Sequence, residues 1–189
     1  MAIQRAAKNA KAVRRPAKTA KKPARRAQHA SRATVARRSE KTGTSSEHES
    51  VRQLLSRYCF ALDSGRLAEL GALFHRDAAF SVSFEQGQQH TGRDTIQAWY
   101  GRFYEARPGQ FRHTRHKIFE PLLTINGDTA TSSTYFDADS IDPDGNVRVI
   151  SGRYDDVMVR EQGQWFFKDR KITVLYHYSP GKGEEGMVS

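Results

Sequence analysis

Every aromatic residue of this chain lies after residue 44. That partition fixes where a core can form, because aromatic side chains dominate core energetics. Residues 1–44 hold six Lys and eight Arg against a single acid, Glu40, with only Ile3, Val13 and Val35 as sizeable aliphatics. They carry +13 of a chain whose net charge is +10, which leaves the remainder at −3. Such a segment cannot bury enough apolar surface to offset its ordering entropy, so 1–44 reads as a disordered basic tail. Residues 45–180 read as one domain of ordinary size, and 181–189 as a flexible C-terminal tail.

The domain shows helical periodicity first and strand alternation afterwards. Val51, Leu54, Leu55, Tyr58, Cys59 and Leu62 form one apolar stripe, which predicts a helix over 46–62. Ser46 and Glu49 suit a capping box at its start, and Gly65 a left-handed stop after its end. A short helix is expected in "RLAELGALF", a strand in "AAFSVSF" and a return in "GQQHTG". "GRDTIQAWYGRFYEA" recovers the helical period through Ile96, Trp99, Tyr100 and Phe103. Beyond it, "INGD" and "DPDGN" separate strands expected near 112–125, 129–140, 146–160 and 164–177. The expected fold is α+β: a strongly curved antiparallel or mixed sheet packed on the N-terminal helices as a cone that encloses an apolar pocket.

Several side chains are candidates for chemistry. Tyr58 stands in the middle of the first helix's stripe, either as a core tyrosine tied to a carbonyl or as a hydroxyl at a site. Asp63 meets the unfavourable end of the helix dipole, either as a solvated turn residue or as a placed carboxylate. His113 and His116 stand three apart, on opposite faces of an extended strand, and His116 shares the more apolar face. Arg153 shares parity with Val147, Val149, Val157 and Val159, which suggests an inward guanidinium, either paired with Asp155 or gripping a substrate anion. Asp137 and Asp139 share a strand face with Tyr135. His113-x-x-His116 lacks a helical context and a third ligand, so no metal site is expected. No Gly-rich phosphate loop or serine elbow is present, which leaves proton transfer without a cofactor.

Taken together, "RYCFALDSG", "FRHTRHKIFEPLLTINGDTA" and "SGRYDDVMVREQGQWFFKDRKI" resemble the SnoaL-like domain of the nuclear transport factor 2-like superfamily. The resemblance covers roughly residues 46–178. It implies a deep apolar pocket used for dehydration, isomerisation, cyclisation or ligand binding. A first-helix tyrosine with an aspartate five residues later matches Tyr58 and Asp63, and the family histidine falls on His116. The resemblance therefore makes Asp63, His116 and Tyr58 the catalytic candidates. Asp139 corresponds to a further carboxylate of bile-acid-type dehydratases, and Arg153 to the arginine of "GRY-D". With His113 and Trp99 these are the substrate-binding candidates. Where the family often carries asparagine four residues after the histidine, this chain has Glu120.

Three readings follow, the first leading and the second its alternative. The first is a dehydratase, isomerase or cyclase acting by His/Asp acid–base transfer on a small apolar carbonyl or hydroxyl metabolite. The second is a non-catalytic ligand-binding or assembly subunit, favoured by a pocket filled by Trp99, Tyr100 and Phe103. The third attaches to residues 1–44, whose charge suits non-specific nucleic-acid binding without base stacking. A homo-oligomer is expected from the resemblance. The single cysteine, Cys59, excludes an internal disulfide, and no apolar run is long enough to span a membrane, so a cytoplasmic protein is expected.

Overall fold

The computed structural model describes residues 44–107, 109 and 112–182. The expected basic tail lies outside them except for Thr44, and the expected C-terminal tail except for Gly181 and Lys182. The described residues belong to one compact unit, 39–189.

Helix α1 runs Ser45–Asp63 and buries Val51, Leu54, Leu55, Tyr58, Cys59, Ala61 and Leu62. Its capping box is Thr44 with Glu47, two residues ahead of the expected Ser46 and Glu49. Both pairs fit the pattern, and Arg160 additionally holds Glu47 at 2.7 Å. Gly65 takes the expected left-handed conformation, φ +65°. Helix α2 is Leu67–Ala72, strand β1 Phe74–Val82, strand β2 Gln89–Thr91 and helix α3 Arg93–Glu105. A short 3-10 turn, Ser83–Glu85, joins the first two strands.

Beyond α3 come β3 (Arg112–Ile118), β4 (Leu122–Asn126), β5 (Thr129–Ile141), β6 (Asn146–Glu161) and β7 (Gln164–Lys182). The single strand expected over 112–125 is thus two, broken around Pro121, which has no N–H for a ladder. Seven strands form one mixed sheet in the order β2-β1-β7-β6-β5-β3, with β4 also pairing β5. Only the β1–β7 pair is parallel among the described residues. Register shifts interrupt β7 against β6 between Val157 and Met158, and between Ser151 and Gly152. The helices cover the inner face of the sheet, where Phe74, Phe80, Met158 and Phe167 are fully buried. Among the described residues, no helix is long and apolar enough to cross a membrane.

Candidate functional site

Between the helices and the sheet lies a cavity of about 870 Å³, within the size range of small-molecule sites. Its wall is mostly aromatic and aliphatic: Tyr58 and Leu62 from α1, Trp99, Tyr100 and Phe103 from α3, and Phe136, Tyr154 and Ile172 from the sheet. Trp99, Tyr100 and Phe103 line the space without filling it.

Asp63 closes α1, and His116 sits on β3, the strand at the end of the sheet. An edge strand leaves backbone N–H groups outside the ladder. Asp63 takes up one of them, its Oδ2 accepting from the His116 backbone N–H at 2.9 Å. Its Oδ1 stands 2.5 Å from His116 Nδ1. A carboxylate only accepts, so Nδ1 carries the proton and the lone pair is on Nε2. Nε2 has no protein partner among the described residues, and His116 lines the cavity. These two bonds also offset the poor position of Asp63 at a helix C-terminus.

The Tyr58 hydroxyl meets that of Tyr100 at 2.7 Å. Burial pushes the Tyr58 phenol up while the Arg170 cation pulls it back down. Tyr100 is held well above the usual phenol range, first by burial and then by Tyr58. The pair has two O–H protons and uses one between its members. The other has no protein acceptor among the described residues. Trp99 stacks on Phe103 with ring centroids 5.3 Å apart and donates its Nε1–H to Glu85 Oε1 at 2.8 Å. Asp139 is also at the cavity wall. Burial raises its carboxyl, but Lys117 and Arg115 together hold it below the ordinary range.

Two substrate-binding candidates are elsewhere. His113 occupies a bulge in β3 at φ +52°, and its side chain is exposed and away from the cavity wall. The extra residue of the bulge removes it from regular alternation. Arg153 does not point inward as its valine neighbours suggest. It lies on the outer face of the sheet, 40% exposed, with Nε and Nη2 at 3.0 and 2.9 Å from Asp155 Oδ2. Its neighbours there, Tyr135 and Val157, are 56% and 40% exposed. Valine on this strand marks β propensity and not burial. Glu120 is likewise outside the cavity and pairs with Arg52 of α1.

The buried arginine is Arg170. Its Nε and Nη2 grip Asp156 at 2.7 and 2.8 Å, and both side chains are fully buried. The guanidinium lies 3.8 Å from the Tyr58 ring centroid, 3.9 Å from Phe167 and 4.4 Å from Tyr154. Regular alternation from Phe167 would face Asp169 and Lys171 inward. The bulge at Lys168 turns Arg170 and Ile172 inward in their place. In the sequence Arg170 lies in the charge run "KDRK" inside β7, and a charge run ordinarily marks a solvated face.

The family model described as a SnoaL-like domain matches residues 43–171. No curated protein matches the chain. Among solved structures it is similar to a protein of Novosphingobium aromaticivorans provisionally named a scytalone dehydratase, at 22% identity and TM-score 0.62, covering 76% of this chain and 96% of that one. It is similar to a type 2 hexachlorocyclohexane dehydrochlorinase, LinA, at 14% identity and TM-score 0.65, over the same shares. It also resembles Rv3472 of Mycobacterium tuberculosis, a protein of unknown function, at 22% identity and TM-score 0.59, covering 68% and 71%.

Proposed function

This chain belongs to the SnoaL-like domain family of the nuclear transport factor 2-like superfamily, and we propose that it is a dehydratase or isomerase whose His116–Asp63 dyad moves a proton on a small, largely apolar carbonyl compound. The carrying observation is His116 at the cavity wall, with Nδ1 bound to Asp63 and Nε2 without a protein partner among the described residues. Fold likeness to a dehydratase and a dehydrochlorinase points the same way, since both names describe elimination.

Nε2 removes a proton from the carbon α to a carbonyl, and the C–H electrons move onto the carbonyl oxygen. Asp63 stabilises the imidazolium so formed. The spare O–H of the Tyr58–Tyr100 pair donates to the developing enolate oxygen. Collapse of the enolate expels a β-hydroxyl, which leaves as water with the proton that His116 carries. Without a β-leaving group, reprotonation gives isomerisation. A base so placed contributes about 10²–10⁴-fold. The test is deuterium uptake from heavy water at the α carbon of 1-tetralone, monitored by NMR. Uptake by the native protein and none by His116→Ala supports the reading, and equal uptake by both refutes it.

Two further expectations stand as proposals. A homo-oligomer would use the outer sheet face, where Tyr135 and Val157 are exposed, and sedimentation velocity would show it. Binding of nucleic acid by residues 1–44 would weaken steeply with salt.

A further inference from the structure

The two hydroxyls beside the cavity are not equivalent, and the cause is the buried ion pair behind them. Asp156 engages Nε and Nη2 of Arg170, which leaves Nη1 buried without a hydrogen-bond partner among the described residues. The guanidinium stands over the Tyr58 ring at 3.8 Å, closer than to Tyr154 at 4.4 Å. The rings it covers are those of Tyr58, Tyr154 and Phe167, and Tyr100 reaches it through its hydrogen bond to Tyr58. A positive charge beside one phenol makes that phenol the better donor of the two. Tyr58 should therefore donate to Tyr100, and the proton left over is the one on Tyr100. Exposure agrees, since Tyr58 is completely buried and Tyr100 retains 3%.

We infer that Arg170 fixes the direction of this relay, so that Tyr58 donates to Tyr100 and Tyr100 presents its O–H to the substrate oxygen. Tyr100 is then a catalytic residue, and Tyr58 and Arg170 are positioning residues that act through it. Each donation polarises the next, so the last hydroxyl is a stronger donor than a lone tyrosine. The fully buried Asp156 holds the cation in place and keeps it from turning toward the cavity. This inference rests on the acid–base reading above, because an oxyanion must form in the cavity for the donor to matter.

The test uses the full chain and two probes of one shape. 4-Nitro-1-naphtholate, at a pH where it is ionised, carries an oxyanion. 1-Methoxy-4-nitronaphthalene is its neutral counterpart. The native protein should prefer the anion. Tyr100→Phe should lose about tenfold of that preference, the worth of one charge-assisted hydrogen bond, while keeping the neutral probe. Tyr58→Phe should retain most of it, because Tyr100 still donates. The double replacement Arg170→Met with Asp156→Leu removes the charge at similar volume and should lose an intermediate share. If Tyr58→Phe loses the preference and Tyr100→Phe keeps it, the direction is reversed and the inference fails. The two tyrosine variants decide which hydroxyl faces the substrate whether or not the arginine replacement folds. Binding of the neutral probe without any anion preference in the native protein overturns this inference and the hydroxyl's part in the step above, and leaves the His116–Asp63 dyad to its own exchange test. Binding of neither probe overturns the pocket reading with it.

Discussion

Gly152 is a glycine for want of space. A Cβ built on it would lie 2.5 and 2.6 Å from Cε1 and Cζ of Phe136, and 2.6 Å from the Thr173 carbonyl oxygen. Phe136 is the residue opposite Gly152 on β5, and Thr173 lies on β7 at the other side. The Phe136 ring is stacked on Tyr154, centroids 4.2 Å apart and planes within 7°, and lies 6.1 Å from the His116 ring. Gly152→Ala therefore demands two adjustments at once: Phe136 must leave its stack, and β6 and β7 must part at a backbone carbonyl that has no rotamer. Overpacking a filled core costs about 1–3 kcal/mol, and loss of an aromatic stack about 0.5–1.5 kcal/mol more. The added methyl returns about 0.8 kcal/mol at best. We expect a net loss of roughly 1–4 kcal/mol, read by urea denaturation with the slope unchanged. Adding Phe136→Leu to Gly152→Ala should recover part of this loss, a coupling expected only of residues in contact. Gly152→Ala at native stability, or strict additivity in the pair, would refute the packing argument.

The remaining predictions concern charges. Arg170→Met alone strands Asp156 in the core and should cost about 3–5 kcal/mol in chemical denaturation, most of it recovered when Asp156→Leu is added; equal losses in the single and double variants would show that the pair is not the cause. Arg153→Ala should leave the thermal midpoint and probe binding as they are, since its partner Asp155 and its exposure place it outside the cavity. Burial raises the Glu85 carboxyl, but Trp99 and His90 hold it below the ordinary range, so its stabilising contribution is present above about pH 4.5 and is lost as pH falls through its lower folded value. Glu85→Gln should accordingly flatten the acid limb of the stability curve, and an unchanged limb would discount that triad.

The sequence is legible wherever a residue's place depends on a period or a turn. The α1 stripe and the hairpin turns at Gly127 and Gly145 need only alternation and turn chemistry, and these sit where expected. The Asp63–His116 pairing depends on α1 packing against an edge strand, and only the family resemblance suggested it. Parity holds for Arg153 along β6, whose ladder with β5 is unbroken, but the face it shares with the valines is the outer one, because valine there follows β propensity. Arg170 faces inward for a different reason. Parity is reliable only along an uninterrupted ladder, and a one-residue slip turns every later side chain to the other face. The bulge at Lys168 is such a slip, and neither glycine nor proline marks it in "WFFKDRKI". Tyr100 was visible as part of a helical face. Its hydrogen bond to Tyr58 joins residues 42 apart and has no local trace.

The parallel pairing of β1 with β7 has a consequence in time. Phe80 of β1 lies opposite Arg170, so the inner strand of the sheet waits ninety positions for its neighbour to leave the ribosome. Until then β1 holds only the three-residue β2 beside it, and the cavity lacks Ile172, Val174 and His177 from its wall. Contacts of such long sequence separation slow folding, because the loop must close before any of them forms. The helices can gather early and bring Tyr58 to Tyr100, but the ion pair behind them forms only when the last described strand slides in between β1 and β6.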